Sequence, residues 1–305
     1  MMRVDVHQHI WTGPLLAGLA VRECPPLVRR SNGLAVLHTE AERPYVIDVA
    51  TESAERRAGL VRRDGLDVAL IALSSPIGIE GLARENALEL IDAHLSGVAA
   101  LPGQFAAWGP VALDRADAGQ VDDLLARGCV GVSLPAGAVA GPDRLARLGA
   151  ILERTAAHQV PLFIHPGPAH GGWRADASFT KPLWWPALTD YVAQMQAAWL
   201  TFASFGRREH PRLVVIFAML AGGAPLLSER LESRGGPPID LRDPLVFYET
   251  SSYGPAAVEM MARRVGETQL LYGSDRPVNE PTPTGREARL QTNAVPLFPR
   301  LPSAA

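Results

Sequence analysis

Cysteine and lysine are nearly absent from this 305-residue chain. Its two cysteines, Cys24 and Cys129, have no CxxC neighbours, which excludes a disulfide framework and a thiolate metal site and suits a reducing compartment. Lys181 is the only lysine, so arginine carries almost all the positive charge, a bias of composition rather than of chemistry. An excess of basic residues is missing as well. The 29 Lys and Arg against 32 Asp and Glu leave a net charge of −3, and no basic face for a nucleic-acid backbone is expected. Long hydrophobic runs are also lacking: the charge-free stretches 191–206 and 213–228 have about 16 residues, short of the roughly 20 apolar ones that a membrane span needs. The opening residues Met1 to His7 contain no apolar segment of the kind found in signal peptides. A cytoplasmic protein is the expectation, without membrane or nucleic-acid partners. With 47% hydrophobic and 20% charged residues, the chain can bury a large core unaided.

What the sequence does contain is a repeated alternation of short apolar runs and longer helical stretches. Strand candidates are 3–10, 67–73, 104–111, 130–134, 161–165, 212–218, 245–250 and 269–274. Several are continuously apolar, as in Leu213-Val214-Val215-Ile216-Phe217-Ala218, the pattern of parallel strands covered on both faces. Eight strand–helix repeats predict an α/β protein, a single (β/α)8 TIM barrel spanning 1–305. An open dinucleotide-binding sheet would carry a glycine-rich turn after its first strand, and His7-Gln8-His9-Ile10-Trp11-Thr12-Gly13 is not one. Two loops exceed what a barrel requires. Residues 11–52 hold two β-like pieces, 34–39 and 44–49, read as a β-hairpin inserted after strand one and packed over the mouth. Residues 166–185, after strand five, are rich in Pro, Gly and Trp. Helix 186–205 carries almost no charge, so burial on two faces is expected, and a homodimer interface is one way to achieve it.

The residues that carry chemistry fall at strand ends. His7 and His9 stand two apart on strand one, so both imidazoles share one face. Alone, an HxH pair is equally well explained as hydrogen-bonded structure. His165 ends strand five and Asp275 ends strand eight, where catalytic groups of such barrels lie. Three imidazoles and one carboxylate at one end of a barrel make a plausible set for one zinc ion with room for water; the alternative for Asp275 is a turn cap before Pro277.

Taken with "FIHPG" on strand five and "YGSDRP" on strand eight, the HxH resembles the amidohydrolase superfamily, and within it the amidohydrolase-related branch that includes aminocarboxymuconate-semialdehyde decarboxylase-like enzymes. The resemblance runs from His7 to about Asn293. It implies that His7, His9, His165 and Asp275 hold one divalent metal, expected to be Zn²⁺, and that Asp275 takes a proton from metal-bound water. Dinuclear members place a lysine or glutamate at the end of strand four; here the segment Val130 to Pro135 has neither, so a single ion is expected. A second departure lies at strand six. An Ala-His-Leu-Gly-Gly-like sequence is usual there, but this chain reads Ala218-Met219-Leu220-Ala221-Gly222-Gly223. Met219 stands where the histidine is expected, and a thioether is neither acid nor base near neutrality.

His170, in the loop after strand five, is a candidate to replace that imidazole; a solvent-exposed loop histidine is the competing explanation. Trp173, Lys181, Trp184, Glu249 and Arg276 are candidates for holding a substrate. Three readings of function follow for a small-molecule substrate. The first is a metal-dependent hydrolase in which activated water attacks a carbonyl carbon. The second is a non-oxidative decarboxylase of an aromatic or unsaturated acid. The third is a barrel that only binds a ligand.

Overall fold

The computed structural model describes residues 1–40, 42–169, 182 and 184–301. His170, Trp173 and Lys181 lie outside these residues.

Twelve strands are present among the described residues: β1 (Val4–Gln8), β2 (Leu27–Ser31), β3 (Leu34–His38), β4 (Tyr45–Asp48), β5 (Val68–Ile71), β6 (Phe105–Ala107), β7 (Gly109–Pro110), β8 (Val132–Pro135), β9 (Leu162–His165), β10 (Val215–Phe217), β11 (Val246–Glu249) and β12 (Leu270–Leu271). All but β2, β3 and β4 pair in parallel, in the order β1-β5-β6 and β7-β8-β9-β10-β11-β12. β6 and β7 are successive parts of one strand, joined through Trp108. Its N–H donates to the Ile71 carbonyl on one side, and the Gly109 N–H donates to Gly131 on the other. The ring closes between β12 and β1, where Val6 N–H donates to Tyr272, Asp275 N–H to His7 and His9 N–H to Arg276. Eight strand positions therefore form a parallel barrel, with helices such as Ala54–Arg63, Arg84–Ala99, Gly149–Ala157 and Pro255–Val265 outside it.

β5, β8, β9, β10 and β11 are buried at every residue, because one face meets the lumen and the other meets helices. That two-sided burial is what the apolar runs encode. Side chains fill the lumen beneath the His7–His9–His165 layer. Phe163 stacks on Trp108 at 5.0 Å and meets the His7 ring edge at 5.2 Å, while Trp108 Nε1 donates to the Val6 carbonyl at 2.9 Å.

The insertion after β1 differs from a two-stranded hairpin. A helix, Gly13–Ala20, comes first, followed by the three-stranded antiparallel sheet β2-β3-β4. The additional strand β2 pairs with β3 across Asn32 and Gly33, both at positive φ (50° and 79°). That is the two-residue turn Asn-Gly favours, since its twist matches that of the strands. Charged Arg29 and Arg30 hid β2 because its outer half is exposed. No helix among the described residues is long and apolar enough to cross a membrane.

Candidate functional site

β1 and β9 bring three imidazoles together, and the segment after β12 sets Asp275 beside two of them. His7 Nε2 lies 3.2 Å from His9 Nε2, which lies 3.2 Å from His165 Nε2. Asp275 Oδ1 stands 3.2 Å from His9 Nε2 and 3.5 Å from His7 Nε2. The three rings meet edge to face, with centroids 4.9–5.0 Å apart. All three imidazoles are buried, and Asp275 is the member open to solvent, its side chain 13% exposed.

The other ring nitrogens fix what these atoms can do. His9 Nδ1 is 2.8 Å from the Ala72 carbonyl and His165 Nδ1 is 2.7 Å from the Pro166 carbonyl. A carbonyl only accepts, so both Nδ1 atoms carry the proton and both Nε2 atoms present a lone pair. His7 Nδ1 donates to Glu249 Oε2 at 3.0 Å, which leaves its Nε2 as the atom aimed at the other two rings. Two imidazole lone pairs and a carboxylate oxygen then face His7 Nε2, and the proton that the two nearby acids favour there fills the place a metal ion would take. Such an arrangement calls for a cation. Tetrahedral coordination at roughly 2.0–2.1 Å would separate ligand atoms by about 3.3 Å, close to the four spacings above. The three histidines, whose ligand atoms all lie within 4.8 Å of one another, could hold one divalent ion, with Asp275 beside His7 and His9.

Charge in this cluster follows the same geometry. Burial lowers the tendency of His7 to protonate, but Glu249 and Asp275 outweigh it and raise its pKa to about 9. His165, buried beside two imidazoles and no acid, is held well below the usual histidine range. Burial pushes Asp275 up, yet His7, His9 and the Asn279 amide together hold it below an ordinary aspartate. Its Oδ2 accepts from Asn279 Nδ2 at 2.9 Å, so Oδ1 stays aimed at the histidines.

A second layer orients the first. Asp5, fully buried on the same strand face as His7, accepts from the N–H groups of His7 (3.0 Å) and Ser274 (3.1 Å) and from the Gln8 amide (2.8 Å). Burial lifts its pKa to about 6, against the pull of those bonds. Gln8 in turn receives Arg57 at 2.9 Å, and Arg57 reaches Glu52, which accepts the Trp11 N–H. Sequence reasoning missed Asp5, although period-two alternation places it on one face with His7 and His9.

Two expected substrate contacts take other roles. Glu249 is fully buried and bonded to His7, to the Ser251 backbone and hydroxyl and to the Met219 N–H at 3.1 Å; it positions a histidine rather than lining the pocket. Arg276 points away from the histidines' ligand atoms, paired with Asp64 at 2.9 Å and Glu280 at 2.5 Å. Its neighbour Asp275 faces the cluster, so the next residue along the chain is turned aside. Trp184 is 56% exposed and packs against Trp185 at 5.7 Å. At the strand-six end, Met219 begins a run of five left-handed residues: Met219, Leu220, Ala221, Gly222 and Gly223 have φ from 42° to 75°. For the three that are not glycine this costs about 1–2 kcal/mol each, strain of the kind concentrated at functional sites. Gln196 holds the turn by donating to the Gly222 carbonyl at 2.9 Å.

No family model matches the chain, and no curated protein matches it. Solved structures do. The Metarhizium anisopliae IDCase in apo form superposes with a TM-score of 0.72 at 18% identity, covering 100% of this chain and 98% of that one. The 5-carboxyvanillate decarboxylase LigW from Sphingomonas paucimobilis gives 0.68 at 17%, covering 97% and 98%. LigW2 from Novosphingobium aromaticivorans, solved with manganese and 3-methoxy-4-hydroxy-5-nitrobenzoic acid, gives 0.69 at 16%, covering 97% of each chain. These likenesses show one shared fold over the whole length of the chain.

Proposed function

We propose that the chain is a metal-dependent enzyme of the amidohydrolase superfamily, one barrel domain throughout, acting as a non-oxidative decarboxylase of a small hydroxylated aromatic or unsaturated carboxylic acid. The observation that carries the metal reading is the convergence of the Nε2 atoms of His7, His9 and His165, with Asp275 Oδ1 beside the first two. Manganese occupies two of the similar structures, and three imidazoles with a carboxylate suit manganese as well as the zinc expected from sequence.

Hydrolysis was the first reading of the sequence; two observations favour decarboxylation over it. The structural neighbours include decarboxylases of 5-carboxyvanillate and 2,6-dihydroxybenzoate. Met219 supplies no imidazole where the resemblance expects one to polarise water. A divalent ion bound here would anchor and polarise the oxygens of an incoming acid. His7, His9 and His165 hold their lone pairs on it through Glu249, Ala72 and Pro166. Asp275, kept ionised and open to solvent, takes the proton of a substrate hydroxyl and returns it to carbon. In that step the bond between ring and carboxylate breaks and its electron pair stays on the ring carbon. The Asp275 proton is delivered there, and CO₂ leaves. Asn279 holds the carboxylate in place for both transfers.

The test loads purified protein with Mn²⁺ or Zn²⁺ and follows CO₂ release from 5-carboxyvanillate and 2,6-dihydroxybenzoate alongside hydrolysis of ester, amide and lactone panels. CO₂ release that disappears in Asp275→Asn supports the reading. Turnover of lactones or amides with no CO₂ from any acid overturns it in favour of a hydrolase.

A further inference from the structure

Met219 supplies no ring donor at the start of the turn after β10, and one polar pair involves the helix that holds that turn. Tyr191, near the start of the helix Asp190–Thr201, donates its hydroxyl to Glu42 in the link between β3 and β4. This bond joins the inserted sheet to the helix that follows β9.

Three contacts fix where that helix lies. Gln194, three residues on from Tyr191 and so on the same helical face, accepts the N–H of Gly167, two residues beyond His165, at 2.8 Å. Gln196 donates to the Gly222 carbonyl in the left-handed turn after β10. The approach there is so close that a Cβ on Gly222 would lie 2.8 Å from the Val192 carbonyl oxygen. One helix thus grips the loop that ends strand five and the turn that begins with Met219. Tyr191 lies near the start of the helix that holds both of these segments at the metal end of the barrel.

The electrostatics agree. Burial raises the Tyr191 hydroxyl far above an ordinary tyrosine; Glu42 adds to this, and so does the charge of Asp275. The hydroxyl is therefore both neutral and within reach of the Asp275 field. Tyr45, which faces Trp11 with ring centroids 6.3 Å apart, also feels Asp275. Burial pushes the Glu42 carboxyl up too, against the pull of the Tyr191 bond and helped by Asp190. A protonated Glu42 can donate to the Tyr191 oxygen and free the phenol proton for a ligand.

We propose that the Tyr191 hydroxyl, positioned by Glu42, is the hydrogen-bond donor that receives an oxygen of the substrate acid at the mouth, in the place left by the absent strand-six imidazole. This rests on the reading of the site as one for a metal-held hydroxylated acid. A donor aimed at developing negative charge in a water-poor site stabilises it without needing to exchange a proton. A phenol does this as well as an imidazole. Tyr191 is the residue in contact with substrate; Glu42 acts through it.

The experiment uses Mn²⁺-loaded protein and 3-methoxy-4-hydroxy-5-nitrobenzoate, whose nitrophenol absorbance reports binding. Dissociation constant, absorbance band, metal content and melting temperature are read for wild type, Tyr191→Phe, Glu42→Ala and Glu42→Gln. Tyr191→Phe and Glu42→Ala should each weaken binding about tenfold or more, the scale of a lost hydrogen bond to a charged group, with one metal per chain retained. Glu42→Gln, whose amide N–H can donate to the tyrosine oxygen as a protonated Glu42 would, should stay within about threefold of wild type. If the pair only fastens the insertion, melting temperatures fall while affinity and absorbance band stay unchanged, and the proposal is overturned. If metal-loaded wild type does not bind the probe at all, the acid-binding reading fails and takes this proposal with it. Binding by wild type that survives both Tyr191→Phe and Glu42→Ala overturns the tyrosine assignment alone.

Discussion

Glu249 packs over Gly273 so closely that a methyl group at residue 273 would lie 2.0 Å from Glu249 Oε1 and 2.4 Å from its carboxyl carbon. The glycine of the Gly-Ser-Asp sequence is thus the space in which the carboxylate that orients His7 rests. Neither residue touches the point where the four ligand atoms meet, yet each decides where His7 Nε2 is aimed.

Gly273→Ala should therefore displace Glu249 and weaken metal affinity by about 10–100-fold, the scale for loss of an outer partner of a metal-bound histidine. Glu249→Gln, which keeps shape but loses charge, should have a smaller effect. Competition with a chromophoric chelator measures both. Unchanged affinity in Gly273→Ala would show that Glu249 has no part in holding His7.

Arg276 makes a different prediction because its guanidinium is engaged with Asp64 and Glu280. The Asp64 partner is largely buried and Arg276 itself is 3% exposed at the side chain. Removing Arg276 leaves Asp64 with only the exposed Arg63 as partner, a cost below the about 3–5 kcal/mol of a fully unmatched buried charge. Arg276→Gln should lower the melting temperature by many degrees and leave nitrobenzoate binding by the folded protein within about twofold, a change small on the affinity scale. A selective loss of binding at constant stability would restore Arg276 as a substrate contact.

Much of this was legible in the sequence because it is periodic. Apolar runs such as Leu213 to Ala218 become buried strands, and all eight barrel positions follow from them. His7 and His9 share a face because strands alternate. The roles of Glu249 and Arg276 were not legible. Each depends on which neighbour comes within reach across the barrel, Glu249 on His7 from residues 242 apart and Arg276 on Asp64 from 212 apart. Spacing along one strand carries no such information. β2 was hidden for another reason: its second half is solvent-facing and charged, so hydrophobicity fell silent while Asn32-Gly33 still marked the turn.

Glu80 gives the fold a pH dependence. It is buried after β5, receives Ser75 Oγ on Oε1 at 2.5 Å, and its Oε2 finds no partner among the described residues. Burial outweighs the Ser75 bond and raises its pKa from 4.5 to about 7. Between those values the folded protein keeps a proton that the unfolded chain has released, so stability falls as pH rises through this window and stays lower above it. The loss is at most about 3 kcal/mol. Thermal melts should show Glu80→Gln more stable than wild type at pH 8 and nearly equal at pH 5. Parallel curves for the two proteins would contradict the assignment.

Whether His7, His9, His165 and Asp275 hold one divalent ion is read by elemental analysis of wild type and His165→Ala, each saturated with Mn²⁺ and freed of excess. One metal per wild-type chain and a marked loss in the variant are expected, with circular dichroism and melting showing the barrel still folded. Two metals per chain, none in wild type, or an undiminished content in His165→Ala would contradict that assignment.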